Sequence, residues 1–322
     1  MSNYINPFID YGFKKLFATE ANKDLLISFL NAVMDGTADP VVDLVYKNVE
    51  QIGEFNGTRA NYFDVYCQTQ AGRRFIVEMQ NSWKPFFKDR TVYYAAKPIR
   101  DQGLKEIKDS VKGHSLEPEL DGKKPRKWNY RLNEVYLIAI MNFTFTKKEY
   151  GPDSYFHKVM LSDVDDHHVF YDKLTFYYVE MPKLDQIKLD LATPRERWIY
   201  ALYHLWRYND YPAELEEDVF HKLYEEADYA NFSEDEQLEY ERSSKVYLDT
   251  YNEIEGGRIL GREEGYQWGF EEGEAEGRAK GEAEGRAKGE AEALAEVARK
   301  MKEAGLDAET ILQITGCSDG AG

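Results

Sequence analysis

Phe63-Asp-Val-Tyr-Cys-Gln-Thr-Gln-Ala-Gly-Arg-Arg-Phe-Ile-Val-Glu-Met-Gln80 is the stretch on which the fold turns. Two β-rich runs, residues 62–68 and 74–80, flank Thr69-Gln-Ala-Gly72, which reads as a hairpin turn. Alternation along the second run puts Phe75, Val77 and Met79 on one face and Ile76, Glu78 and Gln80 on the other. A hairpin centred near Ala71 sets Asp64 opposite Glu78, with Cβ atoms ~4.5–5.5 Å apart. Two carboxylates this close on a half-buried sheet repel unless one is protonated or a cation bridges them. A hard cation such as Mg²⁺ takes carboxylate oxygens and keeps several waters. It can polarise a phosphate and lower the pKa of an attacking water. The backbone carbonyl of Met79 is a further candidate ligand. An acidic-x-polar pair on a strand is more often a solvent-facing strip, and the opposed Asp64 is what sets this one apart.

Outward from the hairpin, the pattern alternates between strand and helix. Asp10-Tyr-Gly-Phe-Lys-Lys-Leu-Phe17 and residues 24–34 have helical spacing, with Leu25, Leu26, Phe29, Leu30 and Val33 on one face. Residues 41–52 are β-branched and contain a strand, and a helix spans 86–103. The apolar run 135–141 suits a strand buried on both faces, and 174–180 is another strand. Thr193 caps a helix with Pro194 in its first position. The fold class is therefore α/β: a mixed central sheet flanked by helices, then an acidic, all-helical region and a Gly-rich helical tail.

In that tail glycine recurs at every fourth position from Gly257 to Gly289. The row drifts ~40° per repeat around a helix, and each glycine costs ~1 kcal/mol of helix propensity against Ala. The segment reads as a weak helix, serving as a spacer or as a surface for close association of two copies. Residues 291–304 and 307–316 form two short helices joined at Gly305.

The net charge of −18 is unevenly spread. Residues 1–135 carry 20 Lys+Arg against 18 Asp+Glu, leaving 21 against 41 for the rest, so the acidity belongs to the C-terminal part. Lys14-Lys15, Arg73-Arg74 and Lys123-Lys124-Pro-Arg126-Lys127, the last beside Trp128 and Tyr130, suit a phosphate backbone. Cys67 and Cys317 are the only cysteines, which excludes a disulfide framework or a thiolate zinc site. No apolar run is long enough to span a bilayer, and residues 1–9 lack the pattern of a signal peptide. A cytoplasmic protein is expected.

The Asp64…Glu78-x-Gln80 constellation resembles the core of the PD-(D/E)XK nuclease superfamily, and more narrowly its recombination-promoting nuclease and transposase family. Similar matches are Asp10–Phe17, Arg90-x-x-x-Tyr94, the strand 135–141, Arg197-Trp-Ile-Tyr200 and the Gly-rich tail. The resemblance implies a restriction-endonuclease-like sheet, divalent-metal-dependent DNA cleavage with Mg²⁺ or Mn²⁺, and association with recombination or mobile elements. It implies Asp64 and Glu78 as metal ligands, with Asp10 a third acid that otherwise caps the first helix. Gln80 stands where the superfamily pattern has Lys. Gln carries no positive charge, so it would orient the water, and Lys14 or Lys15 would supply the missing charge.

The expected organisation is a nuclease domain over 1–190, an acidic helical region over 191–255 that completes it, a glycine-repeat spacer over 256–290 and a helical hairpin over 291–322. DNA is the expected partner. Breaking both strands needs two active sites, which favours a homodimer. The alternative is a catalytically weak, nuclease-fold regulatory protein acting through its acidic half. Asp163-Val-Asp-Asp-His-His168 reads as a solvated loop, and Trp198, Tyr203 and Trp206 as core.

Overall fold

A computed structural model describes residues 3–34, 39–47, 50–51, 61–113, 130–146 and 149–316. The chain opens with α1 (Asp10–Phe17) and α2 (Lys23–Val33), followed by strands β1 (Val45–Tyr46), β2 (Glu50–Gln51), β3 (Asn61–Tyr62), β4 (Val65–Gln68) and β5 (Arg74–Gln80). Helix α3 (Phe87–Gly113) leads to β6 (Val135–Met141), β7 (Phe156–Ser162) and β8 (Val169–Glu180). Helices α4 (Pro194–Leu205), α5 (Asp218–Ala227), α6 (Glu234–Glu303) and α7 (Ala308–Thr315) complete it.

Among the described residues one sheet has the order β1-β4-β5-β6-β8-β7, and β2 pairs with β3 in a second. β5, β6 and β8 run parallel at the centre, while β4 and β7 pair antiparallel to them. β6 is covered on both sides by hydrogen-bonded neighbours and on both faces by side chains, which is why it reads as an unbroken apolar run. The alternation along β5 divides the core in two. Phe75, Val77 and Met79 face α1, α2, α4 and α5 in the larger cluster. Ile76 joins Phe87, Tyr94 and Ala95 of α3 in the smaller one, with Leu137, Ala139, Phe176 and Tyr178.

The β4–β5 turn closes through Gly72, whose φ of +91° favours glycine. Its N–H donates to the Thr69 carbonyl at 3.0 Å. A Cβ there would sit 2.5 Å from Asn133 Nδ2. Gly12 is needed for a different reason, since a Cβ would stand 2.6 Å from the Asn6 carbonyl oxygen and push the N-terminal loop off α1.

The acidic helices share this core. Trp198 of α4 is 1% exposed and packs on Phe17, Phe29 and Phe220, while Trp206 and Tyr203 pack at its edge. Thr193 caps α4 by accepting from the Glu196 N–H. The compact unit runs from Met1 to Asp249, and Thr250–Gly322 forms a second. Through the glycine row α6 is continuously helical, and nothing lies within 4 Å of a Cβ at any position from Gly257 to Gly289. No described helix is long and apolar enough to cross a membrane.

The structure departs from the sequence reading at four places, the first being that the separate helix expected over 291–304 is the end of α6, which runs unbroken from Glu234 to Glu303. The helix expected over 86–103 continues to Gly113 with Pro98 inside it. Gln102 holds it there by exchanging two hydrogen bonds with the Asn133 backbone at the entry to β6. Edge strand β7 went unread because most of its side chains are exposed, so it shows no buried alternation. Arg73 and Arg74, grouped with the phosphate-binding cations, are buried. Arg73 donates to the carbonyls of Asp39 and Pro40, and Arg74 to that of Gly72. The cluster 123–127 lies outside the described residues.

Candidate active site

β4 and β5 pair from Gln68 with Arg74 up to Val65 with Val77. Continued one residue outward, that register sets Asp64 across from Glu78. Asp64 turns its carboxylate onto the end of β5, where Oδ2 accepts from the Met79 N–H at 2.7 Å. Glu78 is only 3% exposed, and its Oε2 accepts from Gln80 Nε2 at 2.8 Å. Its Oε1 is buried with no hydrogen-bond partner among the described residues.

Glu196 also has a buried oxygen without a partner, Oε2, although its Oε1 is held by Tyr155 and Arg195; Glu180 offers the sharper contrast. It ends β8 at the level of Met141 and Gln80, and is likewise fully buried. Every nearby donor serves it: His157 Nε2 at 2.6 Å, Lys183 Nζ at 2.8 Å and the Phe145 N–H at 2.8 Å. A buried carboxylate oxygen left without a donor costs about 1–3 kcal/mol or more. Glu78 bears that cost in the bare protein; Glu180 does not.

The electrostatics follow from the burial. Glu78 is held well above the ordinary carboxylate range, first by burial and next by the charge of Asp64. Asp64 is pushed up to about 6, mainly by burial and further by Asp10, against the opposing Met79 N–H. Arg90 on α3 pulls both acids down, and Lys14 pulls Asp64 down, without overcoming these effects. The guanidinium of Arg90 is itself held by Tyr94, whose hydroxyl accepts from Nε at 2.7 Å.

The structure thus gathers Asp64, Glu78, the Met79 backbone and Gln80, and adds Arg90 and Tyr94. Arg90-x-x-x-Tyr94 was visible in the sequence as a motif, but its role was not, because only the fold of α3 over β5 turns it toward the carboxylates. Asp10 and Lys14 stand at the margin. They act on Asp64 through charge but bond to each other at 2.8 Å on an exposed helix face. Lys15 points elsewhere, to Glu236 of α6 at 2.6 Å. Asp163, Asp166 and His168 bring ligand atoms within 4.8 Å of one another, yet all three are exposed in the β7–β8 turn. That turn lies at the end of β8 opposite Glu180, and Asp163 there accepts the N–H groups of Asp165 and Asp166.

A paired, buried acid centre on a β-hairpin beside a parallel strand pair is the setting in which a family comparison can be weighed. A family model described as PD-(D/E)XK nuclease family transposase matches residues 7–257. The chain belongs to this family. No curated protein and no solved structure matches it. The matched region spans the sheet, α1–α5 and the start of α6, so the PD-(D/E)XK family covers the compact unit and every residue of the acid centre.

The residues present suit a divalent cation. Two acidic groups converge, one with a buried oxygen lacking any donor, and their charge is only partly balanced by Arg90 and Lys14. All donors are oxygens, the set preferred by Mg²⁺ and Mn²⁺.

Proposed function

We propose that this protein is a DNA endonuclease of the PD-(D/E)XK family that hydrolyses phosphodiester bonds with Mg²⁺ or Mn²⁺. The observation that carries the reading is the buried Glu78 carboxylate, whose Oε1 has no partner among the described residues, set across the hairpin from Asp64. Asp64 and Glu78 would hold the metal, with the Met79 carbonyl as a backbone ligand and Asp10 as a more distant acid. The bound ion supplies Lewis acidity toward a phosphate oxygen and a lower pKa for a water.

The chain's own groups do the rest. Gln80 is fixed by its bond to Glu78, so its carbonyl oxygen is free to accept from the attacking water and orient it. It cannot provide the charge a Lys would. Arg90, held by Tyr94, and Lys14 bring positive charge within reach of the acids, to meet the negative charge of a phosphodiester. The raised affinity of the acids for protons means that loading a cation releases protons. Cutting both strands of a duplex requires two such centres, and a homodimer would supply them. Membership in a transposase family supports a role in recombination or mobile elements, in the cytoplasm.

Plasmid cleavage tests the reading. Wild type with Mg²⁺ or Mn²⁺ should nick supercoiled DNA, and chelator should stop it. Glu78→Gln should lower the rate at least about a hundredfold, as expected when a metal ligand is lost. Folded wild-type protein that cuts nothing with any divalent ion would instead support the catalytically weak, regulatory alternative.

A further inference from the structure

We infer that Trp83, Phe86 and Tyr93 form a stacking platform for an unpaired base next to the acid centre, so that the preferred substrate is single-stranded or locally opened DNA. The inference rests on the nuclease reading and specifies its substrate.

Residues 81–86 leave the end of β5 directly after Gln80 and enter α3, whose first turns carry Arg90. Both ends are fixed. Asn142 donates from its backbone to the Gln80 carbonyl at 2.8 Å and from its side chain to Asn81 Oδ1 at 3.2 Å. At the other end Phe87 is buried against Phe143, Phe145 and Tyr178. Between these anchors Trp83 is 58% exposed and Phe86 79% exposed. The segment therefore holds two large rings in solvent within a few residues of the catalytic strand.

Phe86 has φ +61°, a conformation that a bulky residue adopts at a cost and that Asn or Gly adopts readily. Its ring is not repaid by core packing, since it lies outside both hydrophobic clusters. Strain without internal compensation points to a use outside the chain. On α3, Arg90 and Tyr93 share one side at helical spacing, so the exposed ring of Tyr93 stands next to the residue whose charge acts on both carboxylates.

A single exposed aromatic is ordinary. Three of them, flanking Arg90 in sequence beside a phosphodiester site and with Lys84 exposed among them, match the chemistry of single-strand recognition, in which rings stack on bases and cations follow the backbone. A closed duplex hides its base faces, so it gives such rings nothing to stack on.

Fluorescence anisotropy decides the matter, using a labelled oligo-dT strand and an abasic strand of equal length, in chelator at ~50 mM salt. Wild type should bind the base-bearing strand at least about tenfold more tightly. Trp83→Ala with Phe86→Asn should erase that preference while leaving abasic binding unchanged. Phe86→Asn alone should weaken oligo-dT binding with an unfolding temperature equal to or above that of wild type, a combination no packing role would give. Equal binding of the two strands by wild type, or a preference that survives both substitutions, would overturn the inference and leave the nuclease reading standing. Failure to bind either strand would overturn both.

Discussion

Asp64 and Glu78 pair a half-buried carboxylate with a buried one, and Glu78 Oε1 meets no donor among the described residues. In the bare protein this arrangement favours protons. Because the folded chain holds protons on these acids more tightly than the unfolded chain does, folding stability falls as pH rises from about 4, through about 6 for Asp64 and onward with the more strongly raised Glu78. Glu78→Gln removes the repulsion but keeps the shape and the bond to Gln80. In chelator near neutral pH it should raise the unfolding temperature by roughly 3–6 °C. The gap between the two proteins should close at about pH 4. A variant less stable than wild type at neutral pH would contradict the electrostatic reading. At this scale much was legible in the sequence, because opposition across a hairpin is set by counting residues. Burial was not, so neither the orphaned oxygen nor the approach of Arg90 could be read.

At the scale of elements, the hairpin register delivers the site, and the register depends on its turn. Gly72→Ala would force a non-glycine residue to φ +91° and drive a Cβ into Asn133. The expected cost is about 1–2 kcal/mol, seen as an unfolding temperature lowered by roughly 2–8 °C. Gly277→Ala is the control. Nothing surrounds it, and the exchange should stabilise α6 by about 1 kcal/mol. Equal effects of the two substitutions would mean that turn geometry is not limiting. The same contrast explains what the sequence disclosed. The strand at 135–141 and the cap at Thr193 are local signals that the fold respects. The contact that ties α3 to the entry of β6, Gln102 meeting Asn133, is a tertiary one that no local pattern announces.

Across the whole molecule, one acid centre is served by elements far apart in sequence. The hairpin supplies the acids, α3 the Arg90 guanidinium and α1 the Lys14 charge, while α4 and α5 complete the core behind the sheet. A net charge of −18 does not decide against a nucleic-acid partner, since residues 1–135, which hold the acid centre, are nearly balanced. What the account requires is that the acid pair hold a metal. Calorimetric titration of Mn²⁺ into metal-free protein measures this directly. Wild type should bind Mn²⁺ saturably and release protons to the buffer. Glu78→Gln, a variant that stays folded, should lose that binding. Equal Mn²⁺ binding by the two proteins would contradict metal binding by the acid pair.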